Sequence, residues 1–212
     1  MPEALVPNPA RSTPAFGLLA ALAALAVAFV AVAWWVPLKP QPLTVTFTQG
    51  GAVLENPDGT KIEVTPGMPV GEGARLVLPQ GASVNLEAPD GHDLTVSDST
   101  VLEVTGSRAT LLGGKSSTRV DVETGGLRIT GAAKARTSLD IGLPNGVAGV
   151  RGTDFTARVG GSGDLVSVHD GAVALSTATG ERVDLAPGQG AVLTASGAAV
   201  RELPPAPSIG AP

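Results

Sequence analysis

Two histidines and 19 carboxylates are the groups from which this 212-residue chain could build acid–base or metal chemistry. There is no cysteine, so disulfides, thiolate metal sites and thiol nucleophiles are excluded. His92 precedes Asp93 and His169 precedes Asp170, but adjacent residues on a strand point to opposite faces and cannot share one ligand set. Both histidines therefore read as solvated polar residues near turns. A pair of carboxylates across a sheet, of the kind that hydrolyses glycosides, is the remaining enzymatic option, because such a pair leaves no spacing signature. The stretch "GGSGD", Gly160 to Asp164, has the composition of one glycine–aspartate calcium repeat; such sites need several stacked copies, so it reads as a hairpin loop.

The most distinctive run is "GVAGVRGTDF", Gly146 to Phe155. Its glycines, Gly146, Gly149 and Gly152, do not follow the G-x-G-x-x-G spacing, and "TDFTARV" after them alternates as a strand where a phosphate loop needs a helix. An architectural reading fits better. Pro144 and Asn145-Gly146 set a turn, and Gly149 and Gly152 allow close backbone approach or positive φ. Phe155 is the aromatic plug of an aliphatic core, and Val150 belongs to the same structural motif. Arg151 and Asp154 pair with each other or satisfy loop carbonyls and amides, with Thr153 between them. A binding surface built on the same loop is the alternative.

The elements that must hold this loop read as strands. "LTVTFT" puts Leu43, Val45 and Phe47 on one face and threonines on the other, and the same period recurs in "KIEV", "SVNLE", "HDLTV", "VLEV", "RVDVE", "GLRIT", "SLDI", "VSVH", "VALS" and "RVDL". Turn signals separate them at 56–59, 89–91, 125–126, 145–146, 170–171 and 187–190. "ENPDGTKIEV" repeats as "EAPDGHDLTV" 32 residues later, and "PGMPVGEGARLVLPQGASV" is echoed in "APGQGAVLTASGAAV". The expectation is an all-β domain over 43–202, a two-sheet roll or sandwich with short solenoid character.

Ahead of it, 16–37 contains a charge-free apolar run from Phe16 to Val36, long enough to cross a bilayer as a helix, ending in Trp34 and Trp35. A cleaved secretory signal is the competing reading, since Ala31-Val32-Ala33 is a small-residue pattern. Residues 1–15 are then a short cytoplasmic N-terminus, 38–42 a linker and 203–212 a Pro-rich tail. Residues 43–212 carry a formal −6, the chain's −5 less the +1 of Arg11 and Lys39 against Glu3; that balance disfavours nucleic acid. The expected location is the inner membrane, single-pass, with the β domain outside the cytoplasm.

"PNGVAGVRGTDF", Pro144 to Phe155, closely resembles the signature of the FecR domain family, in which Gly-Val-Arg-Gly-Thr precedes an acidic residue and Phe. "VSVHDGAVAL" and "VDLAPGQGAVL" downstream, and "GASVNLEAPDGHDLTVSDSTVLEV" upstream, extend the resemblance to roughly Phe47 through Val200. It implies an all-β extracytoplasmic domain tethered by one membrane helix in bacteria. In the best-known members it implies sensing of an outer-membrane transporter loaded with ferric siderophore, and control of a cytoplasmic sigma factor. The chain departs from those members in its short N-terminal part, in lacking a further domain after the β region, and in Leu143 where a small hydroxyl residue commonly stands. The expected function is a non-enzymatic, membrane-tethered binding module in the envelope, contacting an envelope or membrane protein, with no cofactor, metal or catalytic residue. The alternative is a FecR-type signalling regulator acting through a separate partner subunit.

Overall fold

The computed structural model describes residues 37–110, 116–131 and 137–203. The apolar segment 16–36, the N-terminal residues before it and nearly all of the Pro-rich tail lie outside them, as do the side chains of Arg151 and Thr153. No helix among the described residues is long and apolar enough to cross a membrane.

Every regular element described is a strand. In chain order they are β1 (Pro37–Pro40), β2 (Leu43–Gln49), β3 (Val53–Glu55), β4 (Lys61–Glu63), β5 (Pro69–Val70), β6 (Arg75–Val77), β7 (Ser83–Glu87) and β8 (Asp93–Thr110), then β9 (Ser116–Thr130), β10 (Thr137–Leu143), β11 (Gly146–Gly160), β12 (Gly163–Thr177), β13 (Arg182–Leu185), β14 (Gln189–Thr194) and β15 (Gly197–Glu202). The segment read as a linker contributes to the sheet: β1 pairs with the end of β8, and the Gln41 N–H donates to the Ser107 carbonyl. Period-two alternation of apolar side chains places one face of each strand in a single buried cluster dominated by Leu, Val, Ile and Ala.

Four strands, β8, β9, β11 and β12, are far longer than the sequence pattern suggests, and each changes partners halfway. The second half of β8 lies between β6 and the first half of β9, whereas its first half lies between β7 and the second half of β9. β11 begins beside β10 and ends beside β9, with β12 along its other edge throughout. The sheet thus doubles over at these strands, and both layers share one core. β10 sits in one layer only, paired parallel to β9 and antiparallel to β11.

The bends explain why β8, β9 and β12 each read as two strands in the sequence and why only the second half of β11 reads as one. Each carries a residue of left-handed φ at its bend: Ser99 (53°) in β8, Gly125 (95°) in β9, Gly152 (61°) in β11 and Gly171 (77°) in β12. The pairing register shifts at Ser97–Val101 in β8 and at Arg151–Phe155 in β11. A bulge with a left-handed residue bends a strand and increases its twist without reversing the chain. "GG" at 125–126 and "DG" at 170–171 therefore mark corners; the expectation that they are turns between separate strands is corrected.

The internal repeat is structural. In the β3–β4 hairpin, Asn56 N–H donates to Thr60 O, Gly59 N–H to Asn56 O, and Thr60 N–H to an Asp58 carboxylate oxygen. In the β7–β8 hairpin the same three bonds recur 32 residues later at Ala88, Gly91 and His92 with Asp90. The two backbone bonds appear a third time at Thr177 and Gly180, with Glu181 as acceptor, in the β12–β13 hairpin.

Candidate functional site

The run Gly146–Phe155 forms the first half and the corner of β11. Asn145 occupies the loop of the β10–β11 hairpin, in which Leu143 faces Gly146. A Cβ on Gly146 would stand 2.6 Å from the Ser176 carbonyl oxygen, so close strand approach requires glycine there. Gly149 differs from expectation: its φ is ordinary, and a Cβ would meet nothing nearer than 3.6 Å. Ala148 and Val150 are buried, Gly152 takes the left-handed conformation at the bend, and Phe155 is fully buried among aliphatic side chains.

Asp154 emerges from this corner toward a different partner than the sequence suggested. Arg128, on β9, donates from Nε to Oδ1 at 3.1 Å and from Nη2 to Oδ2 at 2.8 Å. The planar guanidinium matches the carboxylate, making the bidentate geometry that arginine alone provides. These hydrogen bonds, and the positive charge behind them, hold the Asp154 carboxyl below its ordinary range and push the Arg128 guanidinium up. The pair clamps the bend of β11 to its neighbour on the outer face of the sheet.

On the same outer face, Thr156 Oγ1 and His169 Nε2 stand 3.2 Å apart. A hydroxyl beside an imidazole suggests a nucleophile and base, but catalysis needs a third group orienting the imidazole, and an oxyanion pocket. Both oxygens of Asp154 are engaged by Arg128, and His169 is exposed. This arrangement braces two neighbouring strands.

His92 departs from the expectation of a solvated residue. It is fully buried, with Nδ1 3.0 Å from Asp90 Oδ2, and its close partner is Asp90 within the turn, not adjacent Asp93. The two histidines belong to different hairpins and do not come together. No group of three or more potential ligands that could hold a metal ion is found among the described residues.

Two further braces had no sequence signal. Thr100 is buried at the β8 bend, where its hydroxyl accepts from the Gly126 N–H at 2.9 Å and donates to the Ser97 carbonyl. Asp164, also buried, accepts from the Asn145 backbone N–H at 2.8 Å and from its side-chain amide at 3.1 Å. That latch draws the two ends of bent β11 together. A surface groove of about 500 Å³ lies nearby, floored by Gly142 and flanked by Arg119, Asp121, Pro144, Val147 and Ser176.

Comparison with known proteins follows the same geometry. The model of the FecR protein family matches residues 74–174, a span from β6 to the second half of β12 that contains the bends of all four long strands. Two crystal structures of a candidate anti-sigma factor from Parabacteroides distasonis ATCC 8503 superpose with TM-score 0.50 at 16% identity, over 61% of this chain and 59% of that one. At that identity the likeness is one of fold. No curated protein sequence matches the chain. The bent strands, the Gly152 corner and its acidic clamp are thus the body of a recognised domain: residues 74–174 of this chain form a FecR domain.

Proposed function

We propose that this chain is a FecR-type signalling regulator that works by protein contact: a tethered β domain passes the occupancy of one envelope protein to a separate partner. The observation that carries this reading is the FecR domain match over 74–174, whose β11 bend is braced by the Arg128–Asp154 pair. The fold shared with a candidate anti-sigma factor supports a regulatory context. The outer face beside the motif is an open sheet, a geometry suited to a macromolecular partner more than to a small substrate.

The apolar run Phe16–Val36 supplies the tether in this reading, placing the β domain outside the cytoplasm as a single-pass protein. The domain acts without catalysis or cofactor. A non-signalling scaffold made from the same parts would bind envelope proteins without changing gene expression. Deletion of the gene separates the two: the regulator predicts a defined set of transcripts that change under iron limitation or envelope stress. An unchanged transcriptome under both conditions would leave only the scaffold.

A further inference from the structure

β4 stands at one edge of the sheet. All three of its residues are exposed, and among the described residues it pairs only with β3. Ile62 lies opposite buried Leu54, so it belongs to the inward-facing set, yet it is 41% exposed because no described residue covers it at the edge.

The backbone at this edge is also unmatched. The ladder of β3 and β4 is hydrogen-bonded at Asn56–Thr60 and at Ala52–Val64. Bonded and non-bonded pairs alternate in an antiparallel ladder, so Leu54–Ile62 is bonded, and the N–H and C=O groups of Lys61 and Glu63 point away from β3. Lys61 makes only a loose contact of 3.5 Å with Glu55, and Glu63 has no ion pair among the described residues.

We propose that β4 docks on β4 of a second copy of this chain, antiparallel about a two-fold axis through Ile62. In that register Lys61 of each copy faces Glu63 of the other, and the outward backbone groups of both residues meet as hydrogen-bonded pairs. Ile62 then faces Ile62 as a non-bonded pair, where side chains come closest. Opposite charge, free backbone groups and an uncovered apolar side chain all fall into register at once. A two-fold joint is closed and uses one patch twice. Its small size means a reversible dimer.

A competing joint is built into the fold. β13, with Arg182, Val183 and Asp184, repeats the basic–apolar–acidic order of Lys61, Ile62 and Glu63 at the other edge of the same layer. Pairing β4 with β13 of the next copy also matches charges, but gives an open chain. Val183 is already partly covered by the core, so it has less to gain.

The chain lacks cysteine, so single cysteines report the joint in the full-length protein in detergent. Ile62→Cys is expected to give a disulfide-linked dimer and nothing larger under mild oxidation, well above the background set by Val200→Cys on exposed β15. Lys61→Glu alone and Glu63→Lys alone are each expected to weaken dimerisation roughly tenfold, measured by light scattering against concentration. The double variant Lys61→Glu with Glu63→Lys restores it, because the swapped charges still face each other across a two-fold axis. Failure of the double variant to dimerise, or Ile62→Cys cross-linking no more than Val200→Cys, would overturn the proposal; the swapped charges oppose like charges in a β4–β13 joint, so that arrangement is ruled in or out by the same variant.

Discussion

Arg128 and Asp154, 26 residues apart, meet in a two-pronged ion pair that pins the corner of β11 to β9. Half of the Arg128 side chain is in solvent, so its net worth is about 1 kcal/mol or less. The depressed Asp154 carboxyl means the folded state holds fewer protons there than the unfolded one. That stability is fully present above the ordinary aspartate range and is lost as pH falls through the folded value. Asp154→Asn should therefore cost its full amount near pH 7 and progressively less in acid below the ordinary aspartate range, read as converging urea midpoints on acidification. Midpoints that differ equally at both pH values would refute the ionic account.

Phe155 fills the centre of an otherwise aliphatic core with no exposure. Phe155→Ala should cost roughly 3–5 kcal/mol, through lost burial and the cavity left behind. Equilibrium denaturation measures it, and an unchanged midpoint would contradict the core placement.

Ser99 is the only non-glycine residue with positive φ among those described, at 53° on the β8 bend. Ser99→Gly should stabilise or leave the protein unchanged, by up to about 1 kcal/mol, since the left-handed conformation penalises a Cβ. Gly125→Ala at the partner bend has the opposite sign, because its Cβ would lie 2.5 Å from the Thr100 Cα at a φ of 95°. The melting temperature should rise or hold for Ser99→Gly and fall for Gly125→Ala; a loss of stability in Ser99→Gly would contradict the strain argument.

The Asn145–Asp164 latch holds a buried carboxylate. Asn145→Ala removes one of its two donors and should cost about 1–2 kcal/mol. Hydrogen exchange should quicken at Gly146 and Gly163, the two strand ends it draws together. Unchanged protection at both would show that the latch carries no strain.

The strand content was legible because alternation with a period of two survives in nearly every segment, from Leu43–Val45 to Val183–Leu185. The hairpins at Pro57–Gly59 and Pro89–Gly91 were legible too, since Pro and Gly fix turn dihedrals locally. What failed was the meaning of Gly125 and Gly171. A left-handed residue is needed equally by a turn that reverses the chain and by a bulge that bends it, and only long-range pairing decides between them. The partner of Asp154 was hidden for the same reason: Arg151 is its neighbour in sequence, whereas Arg128 is brought beside it by the register of β9 on β11. Buried His92 could not be read because its hairpin turn looks as polar as the exposed one at Asp58.

The central claim is that the Gly-Val-Arg-Gly-Thr-Asp-Phe run is a structural corner, and the unfolding midpoint of Gly152→Val tests it most directly. Valine tolerates the left-handed conformation at φ 61° poorly, so the corner should cost roughly 2 kcal/mol, lowering the melting temperature by about 5 °C. A variant that melts with the parent protein while losing its regulatory output would show instead that the run is a contact or reaction site, and that the bend does not depend on it.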